Sequence, residues 1–135
     1  MKKLATISLA FIILIGTACK KEAAQPKLDK IAGEYTIYRF EKLTPYSTEA
    51  WPTTAGVYGK FVITTPKSDT AIAIFQVFDK NNNQIENDPW YCKVKQNADG
   101  EIILVEKNYL AAYIRPGYRL DWVGYTNEIF TAKKK

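Results

Sequence analysis

Two thiols, Cys19 and Cys92, are the strongest nucleophiles in a 135-residue chain that contains no histidine. The missing imidazole removes histidine-based triads, histidine general bases and most zinc sites. No glycine-rich loop is followed by a Lys-Ser or Lys-Thr pair, so no phosphate cradle is expected. Acidic residues are scattered. Glu86 and Asp88 fall in a polar turn region, where solvated carboxylates are the ordinary reading. A glycosidase-type carboxylate pair could still form in space, but no spacing in the sequence reveals one. Cys92 alternates with Trp90 and Val94 on the apolar face of a strand pattern and has no histidine to activate it. It is expected to point inward as a small, inert hydrophobe. These residues assemble no catalytic set, so a non-catalytic protein with no cofactor and no metal is expected.

Cys19 is placed differently. Met1-Lys2-Lys3 is a short basic start, Leu4–Ile15 is apolar apart from Thr6 and Ser8, and Gly16-Thr17-Ala18 leads into the cysteine. This is the layout of a cleaved secretory signal, and the apolar run is too short to cross a bilayer. The segment resembles bacterial lipoprotein signal peptides, whose lipobox ends in small residues and a cysteine at the cut. Ala18 fits the small residue before the cut, while Gly16 stands where that family usually carries leucine. The resemblance implies removal of residues 1–18, diacylglycerol on the Cys19 thiol and often a further acyl chain on the new amino group. Two or three chains anchor stably where one binds only marginally. It therefore implies a protein attached to a membrane through its N-terminal lipid, in the bacterial cell envelope and expected at the outer membrane. An ordinary signal cut after Ala18, leaving a free thiol, is the alternative.

The formal charge of +5 is unevenly spread. Lys2 and Lys3 would leave with the signal; residues 19–30 carry a net +2, and Lys133-Lys134-Lys135 adds +3, against −2 for the body from Ile31 to Ala132. Nucleic-acid proteins carry their positive charge as a patch on the folded domain. Here the excess sits at ends expected to be flexible, so no nucleic-acid partner is expected. With Cys19 modified only Cys92 remains, and no intramolecular disulfide is expected even in an oxidising compartment.

Residues 19–30 lack apolar periodicity and are expected to form a lipidated tether, leaving residues 31–135 as one domain. That domain alternates with period 2 and offers no helical stripe. Strands are predicted over Gly33–Leu43, Gly56–Thr65, Thr70–Asp79, Trp90–Gln96, Glu101–Lys107, Tyr118–Tyr125 and Glu128–Lys133, with Tyr113–Arg115 a candidate eighth. The third is apolar on both faces, as a doubly covered strand would be. Asn97-Ala98-Asp99-Gly100 is the clearest hairpin signal. Short connections predict an antiparallel meander of seven or eight strands without a long helix. Closure into a small up-and-down β-barrel would remove its sticky edges.

Gly33-Glu34-Tyr35 at the start of the first strand is similar to the Gly-x-Trp that opens lipocalins and lipocalin-like lipoproteins, with Tyr35 in place of the Trp. Leu120–Tyr125 and Glu128–Phe130 look like the closing hairpin of those domains. That family's basic residue over the Trp has Arg119 as its nearest counterpart here. A barrel this short is expected to be filled largely by its own side chains. From Ile31 to Lys135 the chain holds three Trp, nine Tyr and five Phe. Packing in strands explains most of them. Trp90 and Trp122 lie on apolar faces, in the core or against a pocket. The segment Leu43–Ala55 carries Tyr46 and Trp51 between prolines without a strand pattern, and resembles the lid over the open end of lipocalin-like barrels. Tyr46, Trp51, Trp90 and Trp122 are thus the candidate ligand contacts. Two functions follow as expectations: a binding module for a small hydrophobic ligand or lipid at the barrel mouth, or an interaction domain whose loops contact another envelope protein. A carbohydrate variant of the first would stack sugars on Tyr46 and Trp51.

Overall fold

Period-2 patterning carries most of this chain into a single sheet. The computed structural model describes residues 28–135. The expected signal peptide, Cys19 and the tether up to residue 27 lie outside the described residues. The strands are β1 (Gly33–Leu43), β2 (Tyr46–Ala50), β3 (Tyr58–Lys67), β4 (Thr70–Phe78), β5 (Gln84–Gln96), β6 (Ile102–Glu106), β7 (Tyr109–Arg115), β8 (Arg119–Trp122) and β9 (Glu128–Lys134). Every pairing is antiparallel, in the order β2-β1-β3-β4-β5-β6-β7-β8-β9, and β9 returns to pair with β1. Eight strands therefore close a small, lipocalin-like up-and-down barrel, and β2 is an extra strand beside the upper half of β1.

The barrel has a closed base and an open mouth. At the base, Leu28–Lys30 forms a 3-10 turn; Leu28 and Ile31 are buried, and the buried Tyr35 hydroxyl donates to the Ile31 carbonyl at 2.8 Å. The folded unit thus includes residues 28–30, which the sequence reading assigned to the tether, because Leu28 and Ile31 together plug the barrel end. The basic tail is likewise not a loose end: Lys133 and Lys134 belong to β9, and Lys135 bonds Glu34. Arg119 does not lie over Tyr35 but pairs on the outer surface with Asp121, at 2.9 Å.

Above the base the interior is packed. Trp122 and Phe61 stack at 4.7 Å, and Phe75 meets Phe61 at 5.1 Å and Phe130 at 4.9 Å. Ala71, Ala73, Ala112 and Ala132 leave room for these large rings, the small–large complement that fills narrow barrels. Cys92 is buried, and burial, helped by the charge of Glu106, pushes its thiol up to about 12. Gly100 adopts φ +80° in the expected β5–β6 turn.

Three features depart from the sequence reading. Strand β4 is not covered on both faces: Ala71, Ala73, Phe75 and Val77 point inward, while Ile72 and Ile74 lie half-buried outside beside their cross-strand neighbours Val62 and Tyr91. A bulge between Ile37 and Arg39 shifts β1's phase, so Phe40, which strict alternation would put on the face opposite Tyr35 and Ile37, also turns inward. Strand β5 begins at Gln84, well before Trp90. Pro89 is tolerated within it because the upper half of β5 pairs with β4 alone; β6 reaches only Lys93 to Gln96.

Candidate functional site

Strand β5 builds one wall of the mouth. Descending from the rim, its inward positions are Glu86, Asp88, Trp90, Cys92 and Val94, so one strand face changes from acidic to apolar with depth. The register fixes this direction: Glu86 lies opposite the buried Val77, Asp88 opposite Phe75 and Trp90 opposite Ala73. One oxygen of Asp88, Oδ2, accepts two hydrogen bonds, from Trp90 Nε1 at 2.9 Å and from the Tyr125 hydroxyl at 2.6 Å. Burial, then the bond to Asp88 and the charges of Asp88 and Glu86, raise the phenol's pKa, so Tyr125 remains a protonated donor.

The opposite wall comes from β1, β2 and β9. Phe40 and Phe130 face each other across the β1–β9 pair at 4.9 Å. Glu49 on β2 sits opposite Phe40, and Glu128 begins β9 two residues before Phe130. Trp51 follows β2, its backbone N–H donating to the Tyr38 carbonyl at 3.0 Å, and turns its ring edge-on to Phe130 at 5.7 Å. Its indole lies directly over Gly59, so close that a Cβ there would stand 2.6 Å from Cζ3. Glycine at 59 is what lets this ring drop into the gap where β1 and β3 separate.

Together these walls enclose a cavity of about 300 Å³, floored by Phe40, Trp51, Phe75, Tyr125 and Phe130 and rimmed by Glu49, Glu86 and Glu128. A lateral cleft of about 400 Å³ adjoins it where β5 parts from the β6–β7 hairpin. Tyr125 lines both spaces, and Trp90, edge-on to it at 5.4 Å, lines the cleft. In that cleft Glu106 accepts the Tyr91 backbone N–H at 3.1 Å, on the edge of β5 that β6 leaves unpaired. The indole nitrogens of Trp51 and Trp122 are buried without an acceptor.

The candidate contacts thus separate. Trp51 and Trp90 line the two spaces. Trp122 is fully buried beneath them, and Tyr46, 66% exposed at the tip of the β1–β2 hairpin, lines neither. Sequence reasoning missed Phe40, Tyr125, Phe130 and the acids. The available signal was the alternation of Glu86 and Asp88 in phase with Trp90, Cys92 and Val94. Among the described residues no three Cys, Asp or Glu side chains converge closely enough to hold a metal ion. The arrangement suits a small molecule that offers apolar surface to the rings and a polar group to the rim.

Comparison with protein-family models, curated proteins and solved structures finds no match.

Proposed function

We propose that this protein is a lipid-anchored binding protein of the bacterial cell envelope, non-catalytic, which takes a small apolar ligand or part of a lipid into the barrel mouth. One observation carries the binding reading: the interior is packed from the base up to Trp122, yet the mouth keeps an aromatic-floored cavity of about 300 Å³. A filled barrel with surface function alone has no need of that space. The anchoring rests on the signal layout ending at Cys19. Eight residues separate Cys19 from Leu28, a reach of at most about 30 Å, so a base-first attachment would hold the mouth away from the membrane. The test has two arms. Mass spectrometry of protein from the native host should find residues 1–18 gone and Cys19 heavier by its acyl chains; an unmodified Cys19 would refute the anchor. Apolar probes should quench or shift tryptophan fluorescence, and Trp51→Ala should weaken that response; no response to any probe would refute the binding module.

Exposed Tyr46, Ile85 and Tyr109 favour a second reading, contact with another envelope protein, since all three stand at the mouth end. Cross-linking at Tyr109 in host membranes separates it from the first.

A further inference from the structure

We propose that the mouth selects a cationic amphiphile, an apolar chain bearing a protonated amine, and rejects chains that end in a carboxylate. The proposal rests on the binding reading above and names its ligand class. Three acids from three strands rim the aromatic floor, Glu49 on β2, Glu86 on β5 and Glu128 on β9, with Asp88 one inward position below Glu86. Elsewhere on the barrel five acids are matched with bases, while Asp29, Asp79, Asp99 and Glu106 stand singly and apart from one another. Glu34, Glu41, Asp69, Glu101 and Asp121 all form ion pairs, whereas among the described residues none involves Glu49, Glu86, Asp88 or Glu128. Asp88 is occupied by Trp90 and Tyr125, which leaves three carboxylates without a partner around one opening. Lys42, across the β1–β9 pair from Glu128, is the basic residue closest in register, and it lies beyond ion-pair distance.

Gathering like charges at a mouth raises the energy of the compact state and makes the opening attract cations. The floor adds to that attraction, because aromatic faces draw cations as well as apolar chains. Buried donors also stand unused beside the two spaces. Trp122, fully buried, holds its Nε1 without an acceptor, 3.1 Å from where a Cβ on Gly124 would stand, and Gly124 lines the lateral cleft. Trp51 Nε1, at the mouth cavity, is also without one. A buried N–H left unpaired is costly, and a ligand oxygen or bound water would relieve it. Carboxylates at the rim and rings below fit an amine at the rim and an apolar chain beneath it.

The test compares octylammonium, octanol and octanoate by tryptophan fluorescence and calorimetry, with the full-length protein in nanodiscs and empty nanodiscs as the blank. Octylammonium is expected to bind about tenfold more tightly than octanol, which corresponds to ~1.4 kcal/mol of attraction to the rim. Octanoate should be weakest. In Glu86→Gln/Glu128→Gln the amine's advantage should fall to about twofold while octanol binds as before. Raising the salt should weaken the amine alone, a readout that needs no variant. Equal binding of amine and alcohol, or tighter binding of octanoate, would overturn the charge selection and leave the mouth as an apolar site. Failure of all three to bind would overturn both readings.

Discussion

Trp51 has two roles that one substitution removes together. It is half-buried, seals the gap between β1 and β3 over Gly59, and presents its ring edge to the mouth beside Phe40 and Phe130. Trp51→Ala should therefore cost stability as well as binding. Partial exposure puts the loss near the lower end of the aromatic-to-alanine range, about 3 kcal/mol, or a Tm drop of roughly 10–20 °C. Gly59→Ala offers a sharper test of the geometry. The added methyl would overlap the Trp51 ring, and overpacking of this kind costs about 1–3 kcal/mol. In the Trp51→Ala background the same methyl should be much less harmful, with some penalty kept by Ile37 Cδ1 and the Gln76 carbonyl nearby. Urea melts of the four proteins in a double-mutant cycle measure this. Additive effects would mean that the indole does not rest on Gly59 in solution. Cys92 yields a simpler expectation. With burial holding its thiol near 12, it should ignore a thiol reagent at pH 8 while folded and react once the barrel is unfolded in urea. Rapid labelling of the native protein would put Cys92 at the surface.

At the scale of elements, closure was legible and the site was mostly not, for a reason visible in β5. Asp88-Pro89 and the polar run before it look like a turn, which puts the expected strand start at Trp90 and makes Glu86 and Asp88 look like solvated turn residues. Yet the alternation Glu86, Asp88, Trp90, Cys92, Val94 runs unbroken, and a strand paired on one side alone can hold a proline. Strand β2 was illegible for a different reason: all five of its residues are exposed, so neither face carries an apolar mark to set a period. The bulge that turns Phe40 inward leaves no local signal either, since it is set by the pairing of β1 with β9, which are almost a hundred residues apart in sequence. Leu28 shows how a boundary slips. One apolar residue in a charged segment has no periodicity to announce it, but here it plugs the base with Ile31. Leu28→Ala should cost about 2–3 kcal/mol, the low end for leucine because a terminal turn can relax into the space. A urea midpoint equal to that of the wild type would show that the base is closed without it.

Among the described residues, an ion-paired cluster fastens the base, while Glu49, Glu86 and Glu128 at the mouth form no ion pair. The base is where the barrel closes, and Glu34 is the tie. Near the start of β1, it accepts from Lys60 of β3 at 2.8 Å and from Lys135 at the chain's end. It thus links the strand that opens the fold to both of its neighbours. Lys134 adds a bond to the Lys30 carbonyl at 2.6 Å. The bond from Lys135, then that from Lys60, holds the Glu34 carboxyl below its ordinary value of 4.5. A carboxyl whose pKa is lower in the folded than in the unfolded state favours folding wherever it is ionised. Its contribution is complete above the ordinary value and fades as pH falls through the folded one. The partners remain partly exposed, so solvent screening limits the two pairs together to about 1 kcal/mol at neutral pH. Glu34→Gln should lower the Tm by several degrees at pH 7, and the gap should close near pH 2, where wild-type Glu34 is itself neutral. Deleting Lys135 should reproduce part of the neutral-pH loss, because one of the two partners remains. A gap that persisted undiminished in acid would mean that Glu34 acts through packing, and that charge does not fasten the seam between the first strand and the last.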